Sequence, residues 1–375
     1  MVRAVIKIFW ILVNILIFAG LFSATVSCFI SPVKFPSFAL LAMSMPVWIP
    51  IAFIAMLLNF FWNRKLCVGQ SLFLAVALPM FFTLFPLNIS RGNIPANYKK
   101  NSWTLLTYNV ANFEDLTKAY AGDVNPAISY ILKTDADVVM LEEGHWLTLV
   151  PQFRIKPEQL DSLYRHYPYI IIGTDITLLS KFPADSLSLV NYPAQMYGKT
   201  LENSKAACFL VDVHGIKTAI FGVHMKSLGL TDDDKTIYED FTTGEGFTSK
   251  AELREVKNDV FRKVISAGVK RARHIDALCA DIDSIGFDNA IVCGDFNDTP
   301  GCYSLRKLQS IGFREVYPLV GNGYMYSFNK DRLFFQIDHV LFRGAFRPWN
   351  MSRGSLKSSD HYPLLTTFVT SETLR

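Results

Sequence analysis

The run Ile291, Val292, Cys293, Gly294, Asp295, Phe296, Asn297 is a short apolar segment that ends in a carboxylate and a carboxamide. That is the pattern by which a buried strand delivers polar groups to the mouth of a site. Five other segments end in the same way. Asn109 closes Leu105 to Tyr108, Glu143 follows Val138 to Glu142, and His224 closes Ile220 to Val223. Asp338 and His339 interrupt Gln336 to Leu341, and Ser359, Asp360 and His361 precede Tyr362, Pro363 and Leu364. Taken alone, each has an ordinary reading, because Asp or Asn at a strand end is common turn chemistry and a lone His after a strand is more often a satisfied hydrogen bonder than a catalyst. Taken together they form a complementary set. Carboxylates offer hard oxygen ligands to Mg²⁺, histidines transfer protons, and Asn gives neutral donors to phosphate oxygens. The set fits metal-assisted displacement at phosphorus.

The elements that must position these groups are strands. Apolar runs of strand length occupy Trp103 to Val110, Val138 to Leu141, Tyr169 to Leu179, Ala206 to Val213, Thr218 to His224, Ala290 to Cys293, Gln336 to Phe342 and Leu364 to Val369. A helical stretch covers Ala127 to Lys133. So many strands with so few helices imply a mixed sheet or two packed sheets rather than a simple parallel wind. Asp232 to Glu245 is acidic and turn-like, and Lys250 to Ile282 then reads as a helix rich in Lys and Arg. Its charges have two readings, a solvated helix face and a surface for anionic lipid or a polyanionic substrate. There are no internal repeats, no low-complexity tract, no zinc pattern and no Gly-rich phosphate loop.

The first hundred residues are different. They contain eight basic residues and no Asp or Glu, which leaves 29 basic and 33 acidic residues for the remainder, a net of −4. The overall charge of +4 therefore belongs to the leader, and the mildly acidic remainder lacks the clustered positive charge that non-specific nucleic-acid binding needs. Within residues 1–87, Ile8 to Ile30, Phe38 to Trp62 and Leu66 to Leu87 each approach the roughly 20 apolar residues that cross a bilayer core. A cleavable signal peptide competes for the first, but its apolar run exceeds the usual h-region of about 7 to 15 residues and two more follow, so a three-span anchor is the expectation. Pro46, Pro50 and Pro79 are tolerable where neighbouring helices satisfy freed carbonyls, and Asn14 and Asn59 could hydrogen-bond between spans. Arg3, Lys7, Arg64 and Lys65 place the N-terminus in the cytoplasm by the positive-inside rule and the C-terminal domain outside it, against Arg91, Lys99 and Lys100. Residues 88–101 read as a linker to a domain over 102–375. The six cysteines form no disulfide framework: Cys208, Cys279 and Cys293 look like core, and Cys302 beside Gly301 is expected to be exposed.

At this point the chain resembles a known group. LTYNVANF around Asn109, DVVMLEE ending at Glu143, ITLLSKFP from Ile176, GVHM at His224, VCGDFND at Asp295 and Asn297, IDHVLF at Asp338 and SSDHYPL at Asp360 and His361 are similar to the ordered motifs of the endonuclease/exonuclease/phosphatase superfamily. The resemblance covers Ser102 to Val369. It implies a DNase-I-like four-layer α/β sandwich of two packed mixed β-sheets flanked by helices, here preceded by three transmembrane helices. It also implies a Mg²⁺ or Mn²⁺ cofactor held by Glu143 with Asn109 and Asp360. Asp295 would orient or deprotonate the attacking water, and Asn297 and His224 would hold phosphate oxygens. His361 would transfer a proton or stabilise the phosphorane, with Asp338 fixing its tautomer and charge. Three departures matter. Glu142 competes with Glu143 as a ligand, although strand alternation points it to the other face. His339 stands where many members carry an aromatic, which suggests stacking or packing. Ala111 stands where abasic-site endonucleases carry an acidic residue, which argues against DNA repair. His145, His166, His214 and His274 fall outside the motifs and are expected to be structural or exposed.

The leading expectation is a membrane-tethered, metal-dependent hydrolase of a phosphodiester or phosphomonoester, in lipid, nucleotide or nucleic acid, facing the extracytoplasmic side. An extracytoplasmic nuclease and a catalytically silent module docking a partner at the membrane are the alternatives. Substrate selection is expected in the loops Leu228 to Ser249 and Val320 to Leu333. A channel is disfavoured, because the spans hold no acidic residue.

Overall fold

The site residues named above lie at or near strand ends, and the computed structural model shows why. It describes residues 2–89, 92–116, 124–145, 147, 154–190, 195–196, 199–200, 205–228, 250–330 and 334–370, with side chains omitted at 76, 97, 195–196, 199–200 and 250–257. Contacts divide the chain into two compact units, residues 1–85, 228–272 and 300–306 in one and residues 86–227, 273–299 and 307–375 in the other.

The first unit holds the apolar helices α1 (Val2–Ser27), α2 (Phe38–Met43), α3 (Met45–Trp62) and α4 (Arg64–Leu84). Of these, α1 and α3 are long and apolar enough to cross a membrane; α4 counts as a third only as a bent pair, Arg64–Ala75 and Ala77–Leu84, at 60°. The expectation of three spans is corrected to two, or up to three if the bent pair is one span. Proline geometry explains both departures: a proline ring clashes with the carbonyl four residues back, which for Pro79 is Ala75, at the bend. For Pro46 it is Ala42, at the break that separates α2 from α3. Inside the helices Asn59 Nδ2 donates to Asn14 Oδ1 at 2.7 Å and to Gln70 Oε1 at 2.8 Å, and Trp10 Nε1 donates to Asn59 Oδ1 at 2.7 Å. The interhelical role of Asn14 and Asn59 is borne out, with Gln70 as a third member. Cys302, expected to be exposed, is buried among the apolar residues of this unit. All six cysteines are free.

The second unit is built from β1 (Ser102–Asn109), β2 (Val138–Glu142), β3 (Tyr169–Ile172), β4 (Thr177–Ser180), β5 (Ala184–Leu187), a short ribbon of β6 (Gln195–Met196) and β7 (Lys199–Thr200), β8 (Lys205–Val213), β9 (Ile216–His224), β10 (Ala290–Asp295), β11 (Arg314–Glu315), β12 (Asp338–Arg343), β13 (Phe346–Arg353) and β14 (Leu364–Thr370). They form two six-stranded mixed sheets, ordered β13-β14-β1-β2-β4-β3 and β11-β12-β10-β9-β8-β5. The single strand expected over Tyr169 to Leu179 is a hairpin, β3 with β4, turning between Ile172 and Thr177. Between the sheets lies a core that includes Trp103, Leu105, Met140, Leu178, Ile220, Ile291, Cys293, Val340, Phe342 and Phe368. On the outer face of the first sheet, Leu106, Tyr108, Val139 and Leu141 pack with the helices Pro126–Thr134 and Pro157–His166 through Ile128, Ile131, Leu160 and Leu163.

Side chains alternate along a strand with period two. The inward row on β1 therefore runs Leu105, Thr107, Asn109; on β2 Val138, Met140, Glu142; on β9 Ile220, Gly222, His224; on β10 Ile291, Cys293, Asp295; and on β12 it begins at Asp338 before Val340 and Phe342. The inner face of the sandwich is apolar through its length and turns polar at one end. β1 with β2 and β9 with β10 are parallel, so their carboxyl ends share that end, where ligands bind in sheets of this kind.

Helix Lys250–Ile285 is continuous through Gly268. Arg262 and Lys263 lie within 4.0 and 3.0 Å of Asp259, as a solvated face would have it, whereas Arg271 is buried. The acidic segment Asp232 to Glu245 and most of the loops expected to select substrate, 229–249 and 331–333, lie outside the described residues.

At Gly294 the chain runs close to both sheets. The φ of Gly294 is +131°, and a Cβ there would drive into the Val223 carbonyl oxygen and sit 2.8 Å from Glu142 Oε1. Gly294→Ala should destabilise the domain by about 2–4 kcal/mol. Thermal unfolding of the full chain in detergent measures it, and an unchanged midpoint would contradict the close approach.

Candidate active site

Register puts three site residues side by side. Asp295 is paired with His224 on β9 and with Asp338 on β12, so one row of the second sheet presents imidazole, carboxylate, carboxylate. In the first sheet Asn109 is paired with Glu142. Asn109 Nδ2 donates to Asp295 Oδ2 at 3.2 Å, so the sites of the two sheets join at that oxygen.

Asp295 is the centre. It is 1 % exposed, Oδ1 accepts from the Asn297 main-chain N–H at 2.8 Å, and Oδ2 accepts from Asn297 Nδ2 at 3.0 Å. His361 Nε2 and His224 Nε2 lie 3.6 and 3.7 Å from the same Oδ2. Each imidazole is oriented from behind by its own carboxylate: His361 Nδ1 is 2.8 Å from Asp338 Oδ2, and His224 Nδ1 is 2.9 Å from Asp175 Oδ2. Ser359 Oγ donates to the Asn109 carbonyl at 2.8 Å and accepts from the His361 N–H at 3.1 Å, which ties the β1 end to the His361 loop. Ser327 Oγ accepts the Asp338 N–H at 3.0 Å, and the Phe328 ring packs edge-on to His361 at 5.2 Å.

Electrostatics follow from burial and these neighbours. Burial alone would lower the His361 pKa, but Asp338 and Asp295 reverse it and push it up to about 10. His224 is lowered by burial and raised more by Asp175, Asp295 and Glu143, to about 9. Burial raises Asp295, with His361 and His224 opposing it. Asp175, despite a burial effect in the other direction, is lowered by its bond to His224.

Glu143 leaves the strand. Its φ is 56°, a left-handed turn that swings its carboxylate away from the row of Glu142. Oε2 accepts from Asn112 Nδ2 at 2.6 Å and Oε1 from Asn109 Nδ2 at 3.5 Å. Burial raises its pKa. Ala111, Asn112, Phe113 and Asn297 are also left-handed, so strained backbone gathers around the site. Glu142 diverges from Glu143 as alternation requires, yet it faces the inner layer beneath the site, fully buried, with Oε1 accepting from Thr107 Oγ1 at 3.1 Å. Burial, then Asp338 and Asp295, push its pKa well above the ordinary value. Asp360 is half-buried, with Oδ1 3.4 Å from Ser359 Oγ; among the described residues no hydrogen bond joins it to Glu143. Both amide hydrogens of Asn297 are engaged, by Asp295 and by the Met225 carbonyl at 3.0 Å.

The structure thus gathers Asn109, Glu143, His224, Asp295, Asn297, Asp338 and His361 at one end of the sandwich, with Asp360 beside His361. Two partners were not visible in the sequence. Asp175 lies in the hairpin that reads as one strand, and Asn112 is brought to Glu143 by a left-handed turn that no local signal announces. His339, expected to stack or pack, is fully buried, 2.8 Å from Glu315, and packs against Phe296. His166 pairs with Asp135 at the surface, and His214 packs on Phe182.

A hard cation fits this donor set. The carboxyls of Glu143, Asp175, Asp295, Asp338 and Asp360 outnumber the two imidazoles, and Glu143 has only amide donors. Asp295, Asp338 and His361 also present ligand atoms within 4.8 Å of one another. Their closest pair is at hydrogen-bond length and His361 is held protonated, so that trio reads better as a proton-handling group, and the oxygen donors around Glu143 suit Mg²⁺ better.

The Endonuclease/Exonuclease/phosphatase family model matches residues 255–361, which hold Asp295, Asn297, Asp338, Asp360 and His361. The match spans less than a third of the chain. Members of that superfamily are generally hydrolases of phosphoesters that use divalent metals. Similar solved structures include a humanized D. rerio TDP2 (15 % identity over 72 % of this chain and all of that one, TM-score 0.44). An endonuclease/exonuclease/phosphatase protein from Beutenbergia cavernae is similar at 15 % identity over 72 % of each chain, TM-score 0.46. The human Nocturnin catalytic domain with bound sulfate is similar at 13 % identity over 74 % of this chain and all of that one, TM-score 0.45. No curated protein matches the chain.

His224 and His361 carry folded-state pKa values above the ordinary imidazole value of about 6.5. Their contribution to stability is whole below that pH and is lost as pH climbs through about 9 and about 10. Without metal, the urea midpoint should fall between pH 7 and pH 10, and His224→Ala with His361→Ala should remove most of the fall. An equal fall in the double variant would contradict the assignment.

Proposed function

We propose that the globular domain is a divalent-metal-dependent phosphoesterase that hydrolyses a phosphodiester or phosphomonoester by attack of water, tethered to a membrane by the apolar N-terminal helices. The observation that carries this is one buried carboxylate oxygen, Asp295 Oδ2, flanked by two imidazoles that are each backed by a carboxylate. Such a group can take a proton from water on one side while imidazoliums meet negative charge developing on a phosphoryl group.

In this reading Asp295 orients the water and accepts its proton, and its raised pKa makes it a stronger base than an ordinary aspartate. His361 stays cationic through Asp338 and meets the phosphorane charge or protonates the leaving oxygen. His224, held cationic by Asp175, binds a non-bridging phosphate oxygen. Asn297 fixes Asp295 and can turn one amide hydrogen toward phosphate as substrate enters. Glu143, with Asn109 and Asp360, would hold Mg²⁺ or Mn²⁺, and Asn112 holds the Glu143 carboxylate in place. When bound, the metal neutralises charge on the phosphoryl group and on the leaving oxygen. Glu142 is fully buried beneath the site with Thr107 Oγ1 on its Oε1, so it serves as a core acid rather than a ligand.

The charge distribution favours lipid headgroups or small phosphoesters over duplex nucleic acid, because residues 101–375 are net −4. An extracytoplasmic nuclease is the rival reading. With the full chain in detergent, Mg²⁺ and bis-p-nitrophenyl phosphate, Glu143→Gln and His361→Ala should each lose about 10²-fold or more in kcat/KM, whereas Glu142→Gln should lose less than about tenfold. Loss of equal size in Glu142→Gln would overturn the ligand assignment. Parallel assays on plasmid DNA and on phospholipid separate the substrate readings: cleavage of DNA alone would establish the nuclease.

A further inference from the structure

Beside the His361 loop lies a cavity of about 920 Å³ that the catalytic reading does not use. It falls in the range of about 300–1,000 Å³ typical of small-molecule sites. Its walls come from the chain that follows α4, from the segment around Tyr317–Tyr326 and from β13. The chain after α4 is pinned there: Gly323 N–H donates to the Pro86 carbonyl at 2.8 Å, Asn88 Nδ2 to the Gly321 carbonyl at 2.7 Å, and Trp349 Nε1 to the Gly92 carbonyl at 3.1 Å.

The lining has three kinds of surface. Leu87, Ile89, Val320 and Met351 are aliphatic, while Trp349 and the tyrosines are aromatic and Asn93 and Asn350 offer amides. Among the described residues that line the cavity, Arg353 is the one charged side chain. Its guanidinium lies 3.9 Å over the Tyr362 ring and 4.5 Å over the Tyr326 ring. Its Nη1 is buried without a hydrogen-bond partner, and among the described residues no carboxylate pairs with it. A cation removed from water without an anion is costly, and ring faces offset only part of that cost. The free donor therefore points to an anionic ligand, since an arginine fork suits phosphate oxygens.

The ligand must also suit apolar walls. Leu87 and Ile89 are 71 % and 95 % exposed at the rim, and they follow the end of the apolar helix α4, Leu84, by three and five residues. We propose that this cavity is a binding site for the headgroup of an anionic phospholipid, with Arg353 on its phosphodiester, the amides on its polar substituent, and Leu87 and Ile89 against its acyl portion. The site does not depend on turnover, so it stands or falls separately from the phosphoesterase reading.

Fluorine NMR of the full chain labelled with fluorotryptophan, in a neutral detergent, tests it, with the Trp349 resonance assigned by its loss in Trp349→Phe. Dihexanoyl phosphatidylglycerol should shift that resonance saturably, and dihexanoyl phosphatidylcholine and glycerol phosphate should bind at least about tenfold more weakly. Arg353→Gln should weaken phosphatidylglycerol binding by about tenfold or more, and Asn350→Asp, an isosteric change at an exposed position, should weaken it as well. Absence of a saturable shift, or Arg353→Gln and Asn350→Asp binding like the parent, would overturn the site. Glycerol phosphate binding as tightly as the lipid would overturn the lipid assignment in favour of free organic phosphate.

Discussion

A carboxylate that is 1 % exposed has to be given partners, and the arrangement of both sheets follows from giving them to Asp295. Asn109 comes from the first sheet, His224 and Asn297 from the second, and His361 from the loop entering β14. None of these is a sequence neighbour except Asn297, so the site exists only when the register of four strands and the packing of two sheets are all correct. That requirement is felt at Gly294, because the chain beside Asp295 lies against both the Val223 main chain and the Glu142 carboxyl. An interior this dense leaves no room for a methyl group.

The two adjacent glutamates show how one turn separates two chemistries. Glu142 stays in the strand and faces the inner layer, where burial pushes its pKa up; Glu143 takes a left-handed conformation, leaves the strand and keeps a partly open carboxylate between two asparagines. Left-handed backbone at a non-glycine residue costs of order 1–2 kcal/mol and persists only where the surroundings enforce it. The same cost recurs at Ala111, Asn112, Phe113 and Asn297, all bordering the site. Pairing of His361 with Asp338 and of His224 with Asp175 completes the pattern, since each histidine is fixed in tautomer and charge before any substrate arrives.

Much of this was legible in the sequence because strands have period two. An apolar run whose last inward position is polar, as in Ile291 to Asp295 or Ile220 to His224, marks a candidate that gains its weight from several such runs together, and the two-sheet architecture follows from the number of such runs. What was hidden depended on geometry that no short window carries. Asp175 was masked because Tyr169 to Leu179 is apolar enough to read as one strand, whereas Gly173 to Ile176 turns it into a hairpin. Asn112 reaches Glu143 through a left-handed turn, and Cys302 is buried by apolar residues distant in sequence. The broken second and third apolar segments are a proline effect that hydropathy alone does not register.

In the proposed reaction, water activated at Asp295 attacks phosphorus. Cleavage of bis-p-nitrophenyl phosphate in oxygen-18 water by the full chain tests it most directly. One labelled oxygen is expected in the p-nitrophenyl phosphate product and none in the released phenol, with turnover lost in Asp295→Asn. An unlabelled phosphoryl product, labelled phenol, or turnover that survives Asp295→Asn would contradict it.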